Sequence, residues 1–261
     1  MPASPVSIAR EGRIATIRFD LGDGKNALSR QVMRDLTAAA RSFEDDTETS
    51  AIVLAGAADV FTLGFDLREA QLEATSLAER RQLQALGPRL CRAWETLEPM
   101  TFAAIEGWCV GGGVALVAAL DLRLAGAGAR FYVPEIERGM NMSWQSVPRL
   151  VALMGPARTK RLTVMAERID AERARDWGLA DETAPAGAAF DAAMAMAERV
   201  AALPPVQVRM CKEGVNAAST ALHHAVSFMD RDQYALAAQS EDYREGVRAF
   251  LEKRKPRYTG R

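Results

Sequence analysis

Three short segments of the 261-residue chain combine residue types that could carry chemistry. Two are rich in glycine and each follows an apolar run. They are Phe61-Thr62-Leu63-Gly64-Phe65-Asp66-Leu67 and Glu106-Gly107-Trp108-Cys109-Val110-Gly111-Gly112-Gly113-Val114-Ala115-Leu116. Glycines that open an apolar helix leave backbone N–H groups uncovered, and the first N–H groups of any helix lack an intrahelical acceptor. Two such segments could each lend one donor to a single developing oxyanion. Losing one donor of that kind costs about 3–4 kcal/mol of transition-state stabilisation. The same glycines equally suit close packing of a helix on a sheet. The third segment, Arg130-Phe131-Tyr132-Val133-Pro134-Glu135-Ile136, puts a carboxylate directly after a strand and a proline. Among apolar neighbours a carboxyl group holds its proton to higher pH, which suits a general acid or base. A Pro-Glu pair taken alone also fits a surface glutamate.

The elements that must position these segments follow from periodicity. Alternation over Ile8 to Asp20 predicts two strands joined at Glu11-Gly12. Ser29 reads as the N-cap of a helix with the stripe Val32, Leu36, Ala39, Ala40 and Phe43. Ala51 to Gly56 and Thr101 to Ile105 read as buried strands, and another begins near Leu122. Leu77 to Leu97 predicts one long amphipathic helix, and Val114 to Leu120 a buried one. Beyond about residue 135 the pattern is nearly all helical: Ser146–Met154, Ala157–Met165, Ala171–Trp177, Phe190–Ala202, Val206–Ala218 and Leu222–Leu251, with a break at Pro204-Pro205. The basic tail from Glu252 to Arg261 is expected to be loose at its end.

Composition removes several function classes. Lys+Arg 33 against Asp+Glu 34 gives a net charge of -1, without the basic excess of a nucleic-acid binder. Cys91, Cys109 and Cys211 form no C-x-x-C pair, and such sparse cysteines fit a reducing compartment. The N-terminus lacks a signal-like apolar core, and Val110 to Leu120 is too short to span a bilayer. A cytoplasmic protein with no membrane partner is expected. The two histidines, His223 and His224, are adjacent and so point about 100° apart on a helix, a poor metal pair. No dinucleotide fingerprint, P-loop, zincin or serine-hydrolase elbow occurs.

Taken in order, Asn26-Ala27-Leu28, Ile52 to Gly56, Phe61-x-x-Gly64-x-Asp66-Leu67, Gly107 to Gly113, Asp121 and Phe131-x-x-Pro134-Glu135 resemble the crotonase (enoyl-CoA hydratase/isomerase) superfamily. Gly155 to Arg158, Ala171 to Ala180, Met210-x-Lys212-Glu213 and Glu245 to Arg254 extend the resemblance over nearly the whole chain. It implies an α/β fold: a spiral of strand-strand-helix turns over residues 1–200, then a helical C-terminal region, 201–261, that drives trimer or hexamer formation. It also implies an acyl-CoA thioester substrate, no cofactor beyond the CoA of that substrate, and no metal.

By position, the resemblance makes Leu63 and Gly112 the N–H donors to a thioester enolate. It places CoA against Lys25, Ala27, Leu28, Gly64 and Asp66, with Phe250 and Lys253 near the nucleotide. Two-glutamate hydratases of the superfamily carry one Glu where this chain has Ala115 and a second at Glu135. Plain hydration uses both carboxylates, so Glu135 alone points to a Δ3-Δ2 isomerase-like proton shift. An enoyl-CoA hydratase remains the neighbouring reading. The alternatives are an aromatic enoyl-CoA hydratase-lyase, with Tyr234 as a weak counterpart of the Tyr some of them use, and an acyl-CoA binder without turnover. Ser143 stands where the dehalogenase branch has its Asp. Asp66, Glu106 and Glu137 are the other acids that could replace the missing carboxylate, and each fits a structural or surface role better. Met142 and Trp144 put bulk where the superfamily has a glycine-rich loop.

Overall fold

The computed structural model describes residues 4–71 and 76–261. Its first strand is an edge. β1 (Val6–Glu11) is mostly exposed and pairs antiparallel with β2 (Ile14–Phe19), whose Ile14, Ala15, Ile17 and Phe19 are buried. α1 (Arg30–Arg41) follows, with the Ser29 hydroxyl accepting from the Val32 N–H and Val32, Met33, Leu36, Ala39 and Ala40 buried. The chain then repeats one pattern. β3 (Ala51–Ala55) leads to β4 (Val60–Thr62), and the helices α2 (Leu77–Gln84) and α3 (Leu86–Glu95) return it to the next pair. That pair is β5 (Met100–Ile105) and β6 (Trp108–Val110), followed by α4 (Gly112–Val117). β7 (Leu122–Gly126) and β8 (Arg130–Tyr132) complete the third turn.

Each turn gives one strand to each of two sheets. With β9 (Ile169–Asp170) and β10 (Glu182–Ala184) from later in the chain, the larger has the order β1-β2-β3-β5-β7-β10 and the smaller β4-β6-β8-β9. The pairs β3·β5, β5·β7, β4·β6 and β6·β8 are all parallel. Parallel neighbours need helical crossovers, so the chain winds as a spiral. The remaining elements are α5 (Ser146–Thr163), β9 (Ile169–Asp170), α6 (Ala171–Trp177), β10 (Glu182–Ala184), α7 (Ala189–Ala201), α8 (Pro205–Thr220), α9 (His223–Ser227), α10 (Asp230–Ala237) and α11 (Glu241–Leu251). The expected α/β spiral with C-terminal helices is therefore the observed architecture.

The large sheet is buried on both faces by alternation. Ile52, Leu54, Ala103, Ile105 and Ala125 face the main core, while Val53, Phe102, Ala104 and Leu124 face the other way. α7 covers that second face with Ala189, Ala193 and Ala197, all fully buried. Their four-residue spacing makes one stripe of small side chains and lets the helix lie close to the strands.

Three expectations are corrected. Leu77–Leu97 is not one helix but two, joined at Ala85. Pro88 explains the break, because its ring would clash with the carbonyl four residues back, that of Gln84. Leu222–Leu251 is three helices, and Ser240 caps the last by accepting from the Tyr243 N–H at 3.0 Å. The tail is not loose. Asp242 accepts from the Thr259 and Gly260 N–H groups at 2.7 and 2.9 Å, and the Glu241 N–H donates to the Arg261 carbonyl at 2.7 Å. Among the described residues no helix is long and apolar enough to cross a membrane.

Candidate active site

The ends of β4, β6 and β8 open into a cavity of about 550 Å³. Its first wall is made of backbone. Asn26, fully buried, donates from its side chain to the Phe19 and Phe61 carbonyls at 3.0 and 2.8 Å and so ties the Lys25–Leu28 segment to the end of β4. Leu28 then donates its N–H to the Gly64 carbonyl at 2.8 Å, and its own carbonyl accepts from the Asp66 N–H at 3.4 Å. That pairing skips Phe65. Gly64 has φ +85°, and a Cβ there would stand 2.6 Å from the Val110 carbonyl oxygen. Only glycine suits this turn, which reverses the phase of the N–H groups along the loop.

The consequence falls on the first expected donor. The Leu63 N–H already donates to the Lys25 carbonyl at 3.0 Å, so it has no free valence for a ligand. The Phe65 N–H, two residues on, lies on the side away from Leu28, and Phe65 lines the cavity. At the second donor position Gly112 is the first residue of α4, so its N–H has no acceptor within the helix. Its nitrogen would be 3.6 Å from a Cβ on Gly64, which puts the two loops side by side. Phe65 carried no mark in the sequence beyond its place after Gly64.

Glu135 faces these loops. Its carbonyl accepts from the Arg138 and Met140 N–H groups at 3.0 and 2.9 Å, which closes a tight turn over Ile136–Arg138. Its side chain lies across Gly111, where any Cβ would overlap Oε1. Gly111 has φ +52° as well, so space and backbone both require glycine. The other oxygen, Oε2, is buried with no hydrogen-bond partner. Burial raises the carboxyl pKa from 4.5 to about 7, against the smaller opposing pull of its own backbone and of Arg138. A carboxyl group poised near neutrality can both take and return a proton.

The second wall is made of side chains. Met140, Met142, Ser143 and Trp144 line it, with Gly87 from α3, Leu77 and Gln84 from α2, and Asp230, Arg231 and Tyr234 from α10. Tyr234 stands in the same cavity as Glu135, with its hydroxyl 3.7 Å from the Met140 sulfur. Burial holds its phenol well above the usual pKa, with Tyr243 and Glu135 adding to the effect. It is a protonated donor at neutral pH. Arg138 also lines the cavity and stacks on Phe250, 4.2 Å from the ring centre.

The other expected residues divide clearly. Leu63, Gly64, Gly112 and Glu135 line the cavity. Ala27 and Leu28 lie behind it in the paired segment, beside the exposed Lys25. Asp66 is held by Arg68 at 2.6 Å, and that contact lowers its pKa. Phe250 and Lys253 are exposed at the end of α11 and do not line the cavity. Glu106 accepts from the Ala189 N–H at 2.9 Å and so caps α7. Glu137 is exposed and accepts from the Tyr132 hydroxyl. Ala115 is fully buried, with no atom that could act on a proton. Among the described residues no group of three His, Cys, Asp or Glu side chains could hold a metal.

Known proteins share this architecture. The family model described as enoyl-CoA hydratase/isomerase matches residues 9–261. A short-chain-enoyl-CoA hydratase of Clostridium acetobutylicum is 27% identical, over 98% of this chain and 97% of that protein. A protein named as a probable enoyl-CoA hydratase of Mycobacterium bovis is 30% identical over 100% of both chains. The crystal structure of carnitinyl-CoA hydratase from Mycobacterium avium superposes with a TM-score of 0.87 at 28% identity, covering 99% of this chain and 100% of that one. Likeness of this kind runs from the first hairpin to the last helix, and the chain belongs to the enoyl-CoA hydratase/isomerase family of acyl-CoA-processing enzymes.

Proposed function

We propose that Glu135 is the single acid/base of a double-bond shift on an enoyl-CoA thioester. The thioester oxygen accepts from the Phe65 and Gly112 N–H groups. Glu135 Oε2 removes a proton from C2 of a 3-enoyl-CoA, and the electron pair moves into the carbonyl to give a dienolate. The two donors stabilise the new charge more than the starting carbonyl, which is the condition for catalysis. Glu135 then returns the proton at C4, the double bond forms between C2 and C3, and no atom is gained or lost. CoA runs along Lys25–Leu28 and Gly64–Asp66, and its binding energy holds the acyl carbons against the carboxylate. Lys253 and Phe250 meet its nucleotide end in this reading. The exposed apolar side chains of the C-terminal helices, among them Val206, Met210, Val215 and Leu222, suit contact between copies in a trimer or hexamer.

One observation carries the reading. Glu135 Oε2 is buried and unpaired in the cavity, while the position that would supply a second carboxylate is Ala115. The test is mass spectrometry of a 3-enoyl-CoA incubated with the enzyme in deuterated water. A 2-enoyl product without added water, carrying deuterium, supports the shift. Addition of water by the unaltered enzyme would mean that hydration proceeds on one carboxylate.

Tyr234 favours a second reading. A half-buried phenol in the same cavity could donate the proton that Ala115 cannot, as in a hydratase-lyase acting on an aromatic enoyl-CoA. Turnover of an aromatic enoyl-CoA that is lost in Tyr234→Phe, with no action on 3-enoyl-CoA, would select it.

A further inference from the structure

The strained segment before α5 points into the cavity. Trp144 and Gln145 both have left-handed backbones, φ +63° and +57°, which residues with a Cβ rarely adopt in succession. Such strain persists only where the surroundings hold it. Asp230 of α10 accepts from the Gln145 N–H at 3.1 Å, the Gln145 side chain donates to the Ser227 carbonyl at 3.4 Å, and Arg92 donates to its oxygen at 3.0 Å. Three elements distant in sequence thus fix one turn.

What that turn presents is the indole. A Cβ on Gly112 would stand 2.5 Å from Trp144 Cη2 and 2.7 Å from Cζ3. A Cβ on Gly87 of α3 would overlap the other ring of the same indole. The indole therefore occupies a slot cut by two glycines on two helices. Across Gly111 lies Glu135 and across Gly112 lies Trp144, so carboxylate and indole flank consecutive residues of one loop.

We propose that Trp144 is a specificity-determining residue that closes the acyl site to substituents at C3. The inference rests on the donor assignment above. An acyl chain whose thioester oxygen reaches the Gly112 N–H must bring C2 and C3 past the indole held over that residue. A flat, unbranched enoyl group passes along the ring face. A methyl group on C3 meets it. The favoured substrate class is a planar enoyl-CoA without a C3 branch.

The test compares a straight enoyl-CoA with its 3-methyl counterpart in the unaltered enzyme, Trp144→Phe and Trp144→Ala. The unaltered enzyme should prefer the straight chain by at least about tenfold in kcat/KM, the scale on which one methyl group is discriminated. Trp144→Ala should shrink that preference about tenfold or more, and Trp144→Phe should shrink it less. A hydrated product formed by Trp144→Ala alone would support the same closure. An unchanged preference in both variants overturns the proposal, and Trp144→Phe supplies the answer if Trp144→Ala does not fold. The ratio is read on whichever reaction the enzyme performs. A failure of the proton-shift reading shows separately, as turnover that Glu135→Gln leaves intact.

Discussion

The two walls of the cavity are built from different materials. One is backbone: the Gly64–Phe65 loop and the Gly111–Gly112 turn sit at the ends of parallel strands, fixed by hydrogen bonds to Lys25, Leu28 and Tyr132. The other is side chain: Trp144, Met142, Tyr234 and Leu77 come from helices and a strained turn added around the spiral. A backbone wall can hold charge on any thioester, because every acyl-CoA presents the same carbonyl. A side-chain wall meets only what differs between substrates. On the proposed reading the first wall activates and the second selects, and substitutions can test each role.

The largest effect should come from the carboxylate on the backbone side. Glu135→Gln keeps the shape and removes the base, so kcat should fall about 10²–10⁴-fold with KM little changed. For the unaltered enzyme, kcat/KM should rise with pH up to about 7, where Glu135 ionises, and level off above it. Stability should run the opposite way. The folded chain holds the Glu135 proton between pH 4.5 and about 7 while the unfolded chain releases it, so stability falls as pH rises through that window. The deficit above it is about 3 kcal/mol. Glu135→Gln removes the ionisable group, so its melting temperature relative to the unaltered enzyme should be higher at about pH 8 than at about pH 5.

Next comes the loop beneath that carboxylate. Gly111→Ala puts a methyl group onto Glu135 Oε1 at a position with φ +52°. Displacing the base and straining the turn beside Gly112 should lower kcat about 10²–10³-fold, the loss expected for a damaged oxyanion site. Backbone strain should cost about 1–3 kcal/mol in denaturant unfolding. If kcat instead fell no more than the stability loss implies, the backbone wall would be scaffolding and not the activating surface.

A smaller, more selective effect belongs to the side-chain wall. Asp230→Ala removes the acceptor that holds the Trp144–Gln145 turn. Leaving the half-buried Gln145 N–H without this partner should cost about 1 kcal/mol. The straight-to-branched preference should relax in the same direction as in Trp144→Ala, while activity on the straight chain changes only a few-fold. Equal losses on both substrates would mean that this wall, too, serves activation.

The contrast between the walls also sets what the sequence could reveal. Gly111–Gly113 and Pro134-Glu135 are visible because the proposed chemistry needs those residue types in consecutive positions. Leu63 spends its N–H on the Lys25 carbonyl for a local reason: Gly64 reverses the phase of the loop, and no spacing rule states which N–H then faces outward. The strands β4, β6, β8 and β9 are two or three residues long, too short to show alternation. The side-chain wall was least legible. Asp230 reaches Gln145 across 85 residues, and Gly87 accommodates Trp144 across 57. Trp144 showed its bulk in the sequence but not its direction.

The smallest effect should come from the tail, where the C-terminal region touches the backbone wall. α11 lies against the turn that carries Glu135: a Cβ on Gly246 would overlap the Arg138 backbone, and one on Gly139 would overlap that of Asp242. The Tyr258 hydroxyl adds a hydrogen bond to the Glu137 carbonyl at 2.6 Å, two residues beyond the base. Tyr258→Phe removes that bond and nothing else. The ring is exposed and water can replace the lost partner, so the cost should be about 0.5–1 kcal/mol. If the tail merely covers the turn, kcat is unchanged and only the unfolding midpoint moves. If the tail helps hold Glu135 at its working position, kcat falls about two- to threefold as well, because small displacements of a base are amplified in rate. A fall in kcat without loss of stability would tie the tail to activation, and the C-terminal region would then contribute to both walls.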